Sequence, residues 1–121
     1  IISSQLNQNR DALCLIAHNG LKFDFPILEN LFKDLKLIDQ LPILYKLDSL
    51  RAFQHIDKST DSKKSNNLSY RLEEIYYRIF GSTLLNGHTS ETDVEAMLKC
   101  AQRIGEPFQK YVISNCQPFV T

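Results

Sequence analysis

The sequence predicts an α/β fold in which strands of a parallel sheet alternate with helices. Residues 12 to 17, "ALCLIA", are apolar without alternation, as expected of a strand covered on both faces of its sheet. Beyond it, Ile27, Leu28, Leu31, Phe32 and Leu35 recur at helical spacing after Pro26, a residue suited to a first helical turn. A second extended segment follows at "ILYKLDS", where Tyr45 and Leu47 favour strand geometry.

Taken in chain order, "IISSQLNQNRD" reads as the tail of an amphipathic helix carrying Ile2 and Leu6, so the chain reads as starting within a fold. The strand at 12–17, the helix after Pro26 and the strand at "ILYKLDS" come next. "FQHIDKSTDSKKSNN" is polar enough to read as a loop, with Lys63 and Lys64 solvated. Ser69 is placed to cap a helix whose buried stripe is Leu72, Ile75, Tyr76 and Ile79. Glu74 and Arg78 would pair four apart on it, and Gly81 would stop it. Tyr70, Tyr76 and Tyr77 read as core and surface aromatics. After the loop "STLLNGH", a helix from Thr89 or Ser90 should bury Val94, Met97, Leu98, Ala101 and Ile104, ending at Gly105 and Pro107. A last short helix is expected from Phe108 to Asn115.

Composition bounds the function classes. The 121 residues, 43% hydrophobic and 23% charged, suit one globular domain with a real core. Lys plus Arg equals Asp plus Glu at 14 each, so there is no global basic field to hold duplex phosphate, and any nucleic-acid contact must be local. The 3 cysteines lack metal-type or redox-type spacing, which argues against a disulfide framework and for a reducing, intracellular setting in nucleus or cytoplasm. Cys14 reads as core. No apolar stretch approaches the roughly 20 residues needed to cross a bilayer.

Candidate chemistry gathers at two places. In parallel α/β sheets ligands bind beyond the carboxyl ends of the strands, and His18, Asn19, Gly20 and Asp24 follow such an end. In "GHTSETDVEAM", His88 precedes a helix and Asp93 lies in its first turn, on a row with positions 97, 100 and 104 that adjoins the buried stripe. An inward carboxylate needs a partner, and a magnesium ion would serve, since it takes oxygen ligands and keeps waters and substrate phosphates in its shell. Taken singly, each acid is also accounted for as a helix-dipole partner, His88 as a surface or capping residue, and His18 as a hydrogen-bonded residue at a strand end.

The combination matches a family pattern. "LIAHNGLKFDFPIL", "LDSL", "LSYRLEEIYYRIFG" and "HTSETDVEAML" resemble, in order and spacing, the second and third motifs of the DEDDh-type 3'-to-5' exonucleases, most of all the three-prime repair exonucleases, the TREX group. The resemblance runs from about residue 12 to Phe119. It implies an RNase H-like fold, a mixed sheet with helices on both sides, of which this chain would supply about two strands and the helices near them. Two departures stand out. The family's proline-rich insertion is replaced by "DKSTDSKKSNN", so partners that bind through it do not carry over. The family's first motif, Asp-x-Glu on the first strand, has no counterpart in a suitable place, because Asp93-Val94-Glu95 lies within the third motif. Residues 1–121 are therefore expected to be the carboxyl-terminal portion of a single exonuclease domain. The 12–17 strand would then lack its central neighbour, and the isolated chain would be inactive and prone to associate.

By the same resemblance, the intact enzyme would act on single-stranded DNA or DNA 3' ends, hydrolyse the terminal phosphodiester and release nucleoside monophosphates. Two magnesium ions, or manganese in their place, would lie about 4 Å apart. Asp24 and Asp93 would be metal ligands and His88 the general base. Phe23 would lie against the terminal nucleotide, with Asn19 and Lys22 as polar and cationic contacts. Family dimers form through a strand outside this chain. The alternative class is a non-catalytic RNase H-like module that binds nucleic acid or a protein.

Overall fold

A computed structural model describes residues 2–3, 12–40, 43–60, 68–84 and 89–119. The sheet is built around two parallel strands, β2 (Ala12–Ala17) and β3 (Ile43–Asp48), in register from Ala12 opposite Ile43 to Ala17 opposite Asp48. Two short strands flank them antiparallel. β1 (Ile2–Ser3) pairs with β2, and β4 (Gln117–Pro118) pairs with β3, giving the order β1-β2-β3-β4. Between β2 and β3 runs α1 (Asp24–Asp34). After β3 come α2 (Ser49–Thr60), α3 (Leu72–Phe80), α4 (Ser90–Ile104) and α5 (Glu106–Asn115).

Strand periodicity decides which face each helix covers. Cys14 and Ile16 of β2 stand beside Tyr45 and Leu47 of β3. All four join the core formed with Ala52, Phe53 and Ile56 of α2, Ile75 of α3, Met97 and Cys100 of α4 and Phe108 of α5. Lys46, on the opposite face, lies over the ring of Phe119. Phe119 also receives α1: its ring meets Phe25 edge-on at 5.9 Å and Phe32 at 5.8 Å. Phe25 and Phe119 are 2% and 1% exposed, each burial being worth about 1.5–3 kcal/mol. Helices thus cover both faces of a mixed sheet.

Several expectations change. Ile2 belongs to a strand rather than a helix tail, and residues 4–11 lie outside the described residues. β2 is not left without a second neighbour, because β1 takes its backbone groups at Leu13 and Cys14. The stretch from Phe53 to Thr60, read as loop, is the larger part of α2. Its polar residues mask a short apolar stripe, Ala52, Phe53 and Ile56, that packs inward at helical spacing. On α1 the inward set is Phe25, with Leu28 and Phe32 half-buried, while Ile27, Leu31 and Leu35 face out. On α4 the stripe is Ala96, Met97 and Cys100, with Ala101 and Ile104 beside it, and Val94 and Leu98 are exposed.

Cap details shift as well. α3 begins at Leu72 after Arg71, whose N–H is donated to the Ser69 hydroxyl ahead of the helix. Arg78 pairs across to Asp57 of α2 at 4.0 Å instead of with Glu74, and its guanidinium lies over the Tyr70 ring. Gly81 ends α3 with φ 73, as its position required. Thr89 caps α4 by accepting the Thr92 N–H. Pro107 does not terminate a helix but sits in the first turn of α5, which starts at Glu106.

Candidate active site

β2 ends in a tight turn whose residues are held by one another. Asn19 has φ 58, a left-handed conformation that asparagine tolerates better than other side-chain-bearing residues. Its carbonyl accepts the N–H groups of Lys22 and Phe23, and the Gly20 carbonyl accepts the Phe25 N–H at 2.9 Å, which sets where α1 starts. Position 20 must be glycine on steric grounds: a Cβ there would lie 2.7 Å from the Phe25 ring and 2.8 Å from Ala17 Cβ. Past this turn Phe23 is 52% exposed, the Lys22 ammonium lies 5.4 Å from the centre of its ring, and Asp24 opens α1 with its side chain in solvent.

His18 joins this turn to α2 and to the segment before α3. Its Nε2 is 2.6 Å from the Tyr70 carbonyl, which can only accept, so Nε2 carries the proton. Nδ1, 2.9 Å from Ser49 Oγ, then accepts the serine O–H. Burial holds the imidazole pKa below its ordinary 6.5, opposed by the Tyr70 carbonyl and by the charges of Asp48 and Asp93. Asp93, in the first turn of α4, is therefore near the carboxyl end of β2. It is half-buried, on the stripe that continues through Ala96, Met97 and Cys100.

This geometry has a pH consequence. A histidine whose pKa is lowered on folding binds its proton more readily in the unfolded chain. Its contribution to stability is complete above about 6.5 and is lost as pH falls below that towards the depressed value. The melting temperature of the wild type should fall from about pH 7 to pH 5 with a component missing in His18→Gln. Parallel curves for the two proteins would contradict this account.

The sequence-derived site residues are brought together in part. Asn19, Lys22, Phe23 and Asp24 share one turn, and Asp93 approaches its base at His18. His88 lies outside the described residues, as do Lys63 and Lys64. Neither the Asp24 nor the Asp93 carboxylate accepts a hydrogen bond or forms an ion pair among the described residues. Two unclaimed carboxylates suit a hard divalent cation, which prefers oxygen ligands. The described residues do not, however, assemble three or more His, Cys, Asp or Glu groups around one point. Asp24 and Asp93 supply the donor type that such an ion takes.

Three residues quoted within the resembling motifs but given no site role there take part: Asp48, Ser49 and Tyr70. Asp48 is 5% exposed, and Ser49 is fully buried. Tyr70 is buried, donates its O–H to Asp57 and turns its carbonyl to His18. For the first two a signal existed in Asp-Ser at the end of a strand, the residue types that begin helices. Nothing local marks the Tyr70 carbonyl.

No protein-family profile matches the chain. Individual curated proteins do. Human three-prime repair exonuclease 1 is 34% identical over 109 residues, 89% of this chain and 35% of that protein. The Bos taurus protein of the same name is 30% identical over 122 aligned positions, 100% of this chain and 39% of its own length. Three prime repair exonuclease 2 of Mus musculus is 33% identical over 101 residues, 77% of this chain and 40% of that protein. The chain thus spans little more than a third of the relatives it matches. These similarities, with a mixed sheet covered on both faces and the turn from His18 to Phe23 at the end of its second strand, make the chain a relative of the three-prime repair exonucleases.

Proposed function

We propose that these residues form part of a divalent-metal-dependent 3'-to-5' exonuclease that removes nucleoside monophosphates from DNA 3' ends. The observation that supports this most is the Asp93 carboxylate, half-buried, near enough to His18 for its charge to act on the imidazole, and without a hydrogen bond or ion pair among the described residues. Burying a charge without a partner is costly, and a cation shared with a phosphodiester offsets that cost. Asp24 and Asp93 are the ligands this chain offers to magnesium. Bound divalent ions would neutralise the phosphodiester and lower the pKa of water, the Lewis-acid chemistry of such hydrolysis.

The remaining roles belong to side chains. His88, neutral, takes the proton of the attacking water as it approaches phosphorus. Phe23, exposed at the turn, offers a ring to the face of the terminal base, and stacking accepts any base. Lys22 beside it offers charge to the backbone, and Asn19 a polar contact. Residues 1–121 are the carboxyl-terminal part of the catalytic domain in this reading, with further acidic ligands supplied by an Asp-x-Glu strand. A second reading, a non-catalytic RNase H-like binding module, is favoured by the lack of any three-residue metal cluster among the described residues.

One assay separates them. A 3'-labelled single-stranded oligonucleotide with magnesium is given to the 121-residue chain and to a version extended upstream through an Asp-x-Glu segment. Degradation by the extended protein alone is expected. Equal degradation by both would overturn the need for further ligands, and none by either would select the binding module.

A further inference from the structure

The carboxylate of Asp48 is the most heavily committed polar group at this end of the sheet, yet none of the roles above uses it. It stands at the carboxyl end of β3, opposite Ala17, and is 5% exposed. Oδ1 accepts the Asn19 N–H at 2.8 Å and the Leu50 N–H at 3.0 Å, and Oδ2 accepts the Leu21 N–H at 3.2 Å. It forms no ion pair among the described residues, so backbone donors carry the compensation for burying it. Two of those donors belong to the turn that places Phe23 and Asp24, and one of them is on Asn19, the residue held at φ 58. The third lies in the first turn of α2, beside Ser49, which donates to His18 at the start of the same turn.

We infer that Asp48 is a positioning residue for the reaction: its carboxylate fixes the 19–24 turn against β3 and so sets the placement of Phe23 and Asp24. The inference rests on the exonuclease reading for its catalytic consequence, but not for the clamp itself. No described side chain holds the Asp24 carboxylate, so its position depends on the backbone that leads to it. That backbone is tied by the Asn19 carbonyl to the amides of Lys22 and Phe23 and by the Gly20 carbonyl to that of Phe25. Asp48 anchors the same turn from the neighbouring strand. Both of its oxygens are needed as acceptors, which separates it from asparagine. In Asp48→Asn one oxygen becomes an NH2 group, which would meet a backbone donor where an acceptor is required.

The test combines an amide measurement with kinetics on the protein. In the wild type, hydrogen exchange of the Asn19 and Leu21 amides should be as slow as in β2, although both residues lie in a turn. Exchange at unprotected rates would refute the clamp, and this holds even if no variant folds. In Asp48→Asn the two amides should lose protection while the β2 and β3 amides keep theirs. With the oligonucleotide substrate and the upstream-extended protein, kcat of Asp48→Asn should fall about a hundredfold at temperatures below its melting temperature, the scale of a small misplacement of reacting groups. The magnesium concentration giving half-maximal rate should rise at the same time. A variant with lowered melting temperature but unchanged kcat and magnesium dependence would show a merely structural role and overturn the positioning claim. Absence of activity in the upstream-extended protein without substitution would count against the exonuclease reading alone, since the exchange result stands apart from it.

Discussion

In the upstream-extended protein, Asp93→Asn should lower nuclease activity by on the order of a thousandfold while leaving the protein folded, a rate loss equivalent to about 4 kcal/mol of transition-state stabilisation. The substitution keeps side-chain volume and deletes one charge. The substitution removes no hydrogen bond or ion pair among the described residues. Loss of a half-buried, unpaired charge should even raise the melting temperature slightly. The competing explanation is an ordinary helix-dipole partner, because Asp93 lies in the first turn of α4. That role predicts the reverse pattern: stability lower by about 0.3–1 kcal/mol and an unchanged rate. Asp24→Asn should match Asp93→Asn in activity and, being exposed, leave the melting temperature as it was. Initial rates on the labelled oligonucleotide, with thermal unfolding followed by circular dichroism, distinguish the two patterns. Full magnesium-dependent activity in Asp93→Asn would end its assignment as a ligand.

How far the sequence revealed this arrangement depended on the range of the interaction involved. The strand "ALCLIA", the turn beginning at His18 and the start of α4 near Thr89 or Ser90 were legible because each is a local pattern: an apolar run, a polar turn, a hydroxyl residue ahead of a helical stripe. The row containing Asp93 was also legible, since helical spacing alone sets it beside Met97 and Cys100. Choosing the inward side of α4 and α1 was harder. Apolar residues occur on both sides of each helix, and the docking partner decides between them. Phe119, far along the chain, selects Phe25 and Phe32 over Ile27 and Leu31. α2 was hidden because three small clues, Ala52, Phe53 and Ile56, stand among polar residues. The His18 bonds to Ser49 and Tyr70 span 31 and 52 residues, a separation that no window on the sequence covers.

His88→Ala should cost on the order of a hundredfold or more in rate, the usual worth of a positioned general base, and should remove a limb of the pH profile. His88 stands five residues before Asp93 and one before Thr89, whose side chain caps α4. Its attachment to the helix start bearing the proposed ligand motivates its role. A base must be unprotonated to act, so the wild-type rate should climb with pH as the imidazole loses its proton, around 6.5 for an unperturbed one. Without the imidazole, the residual rate should not follow that titration. His18, at the end of β2, cannot substitute. Its Nε2–H is donated to the Tyr70 carbonyl and its Nδ1 already accepts from Ser49, which leaves no lone pair for a substrate proton. The two histidines can therefore be told apart by experiment: His18→Gln should change the pH dependence of unfolding, and His88→Ala that of the rate. A His88→Ala enzyme with the wild-type rate and profile would mean that another group takes the proton.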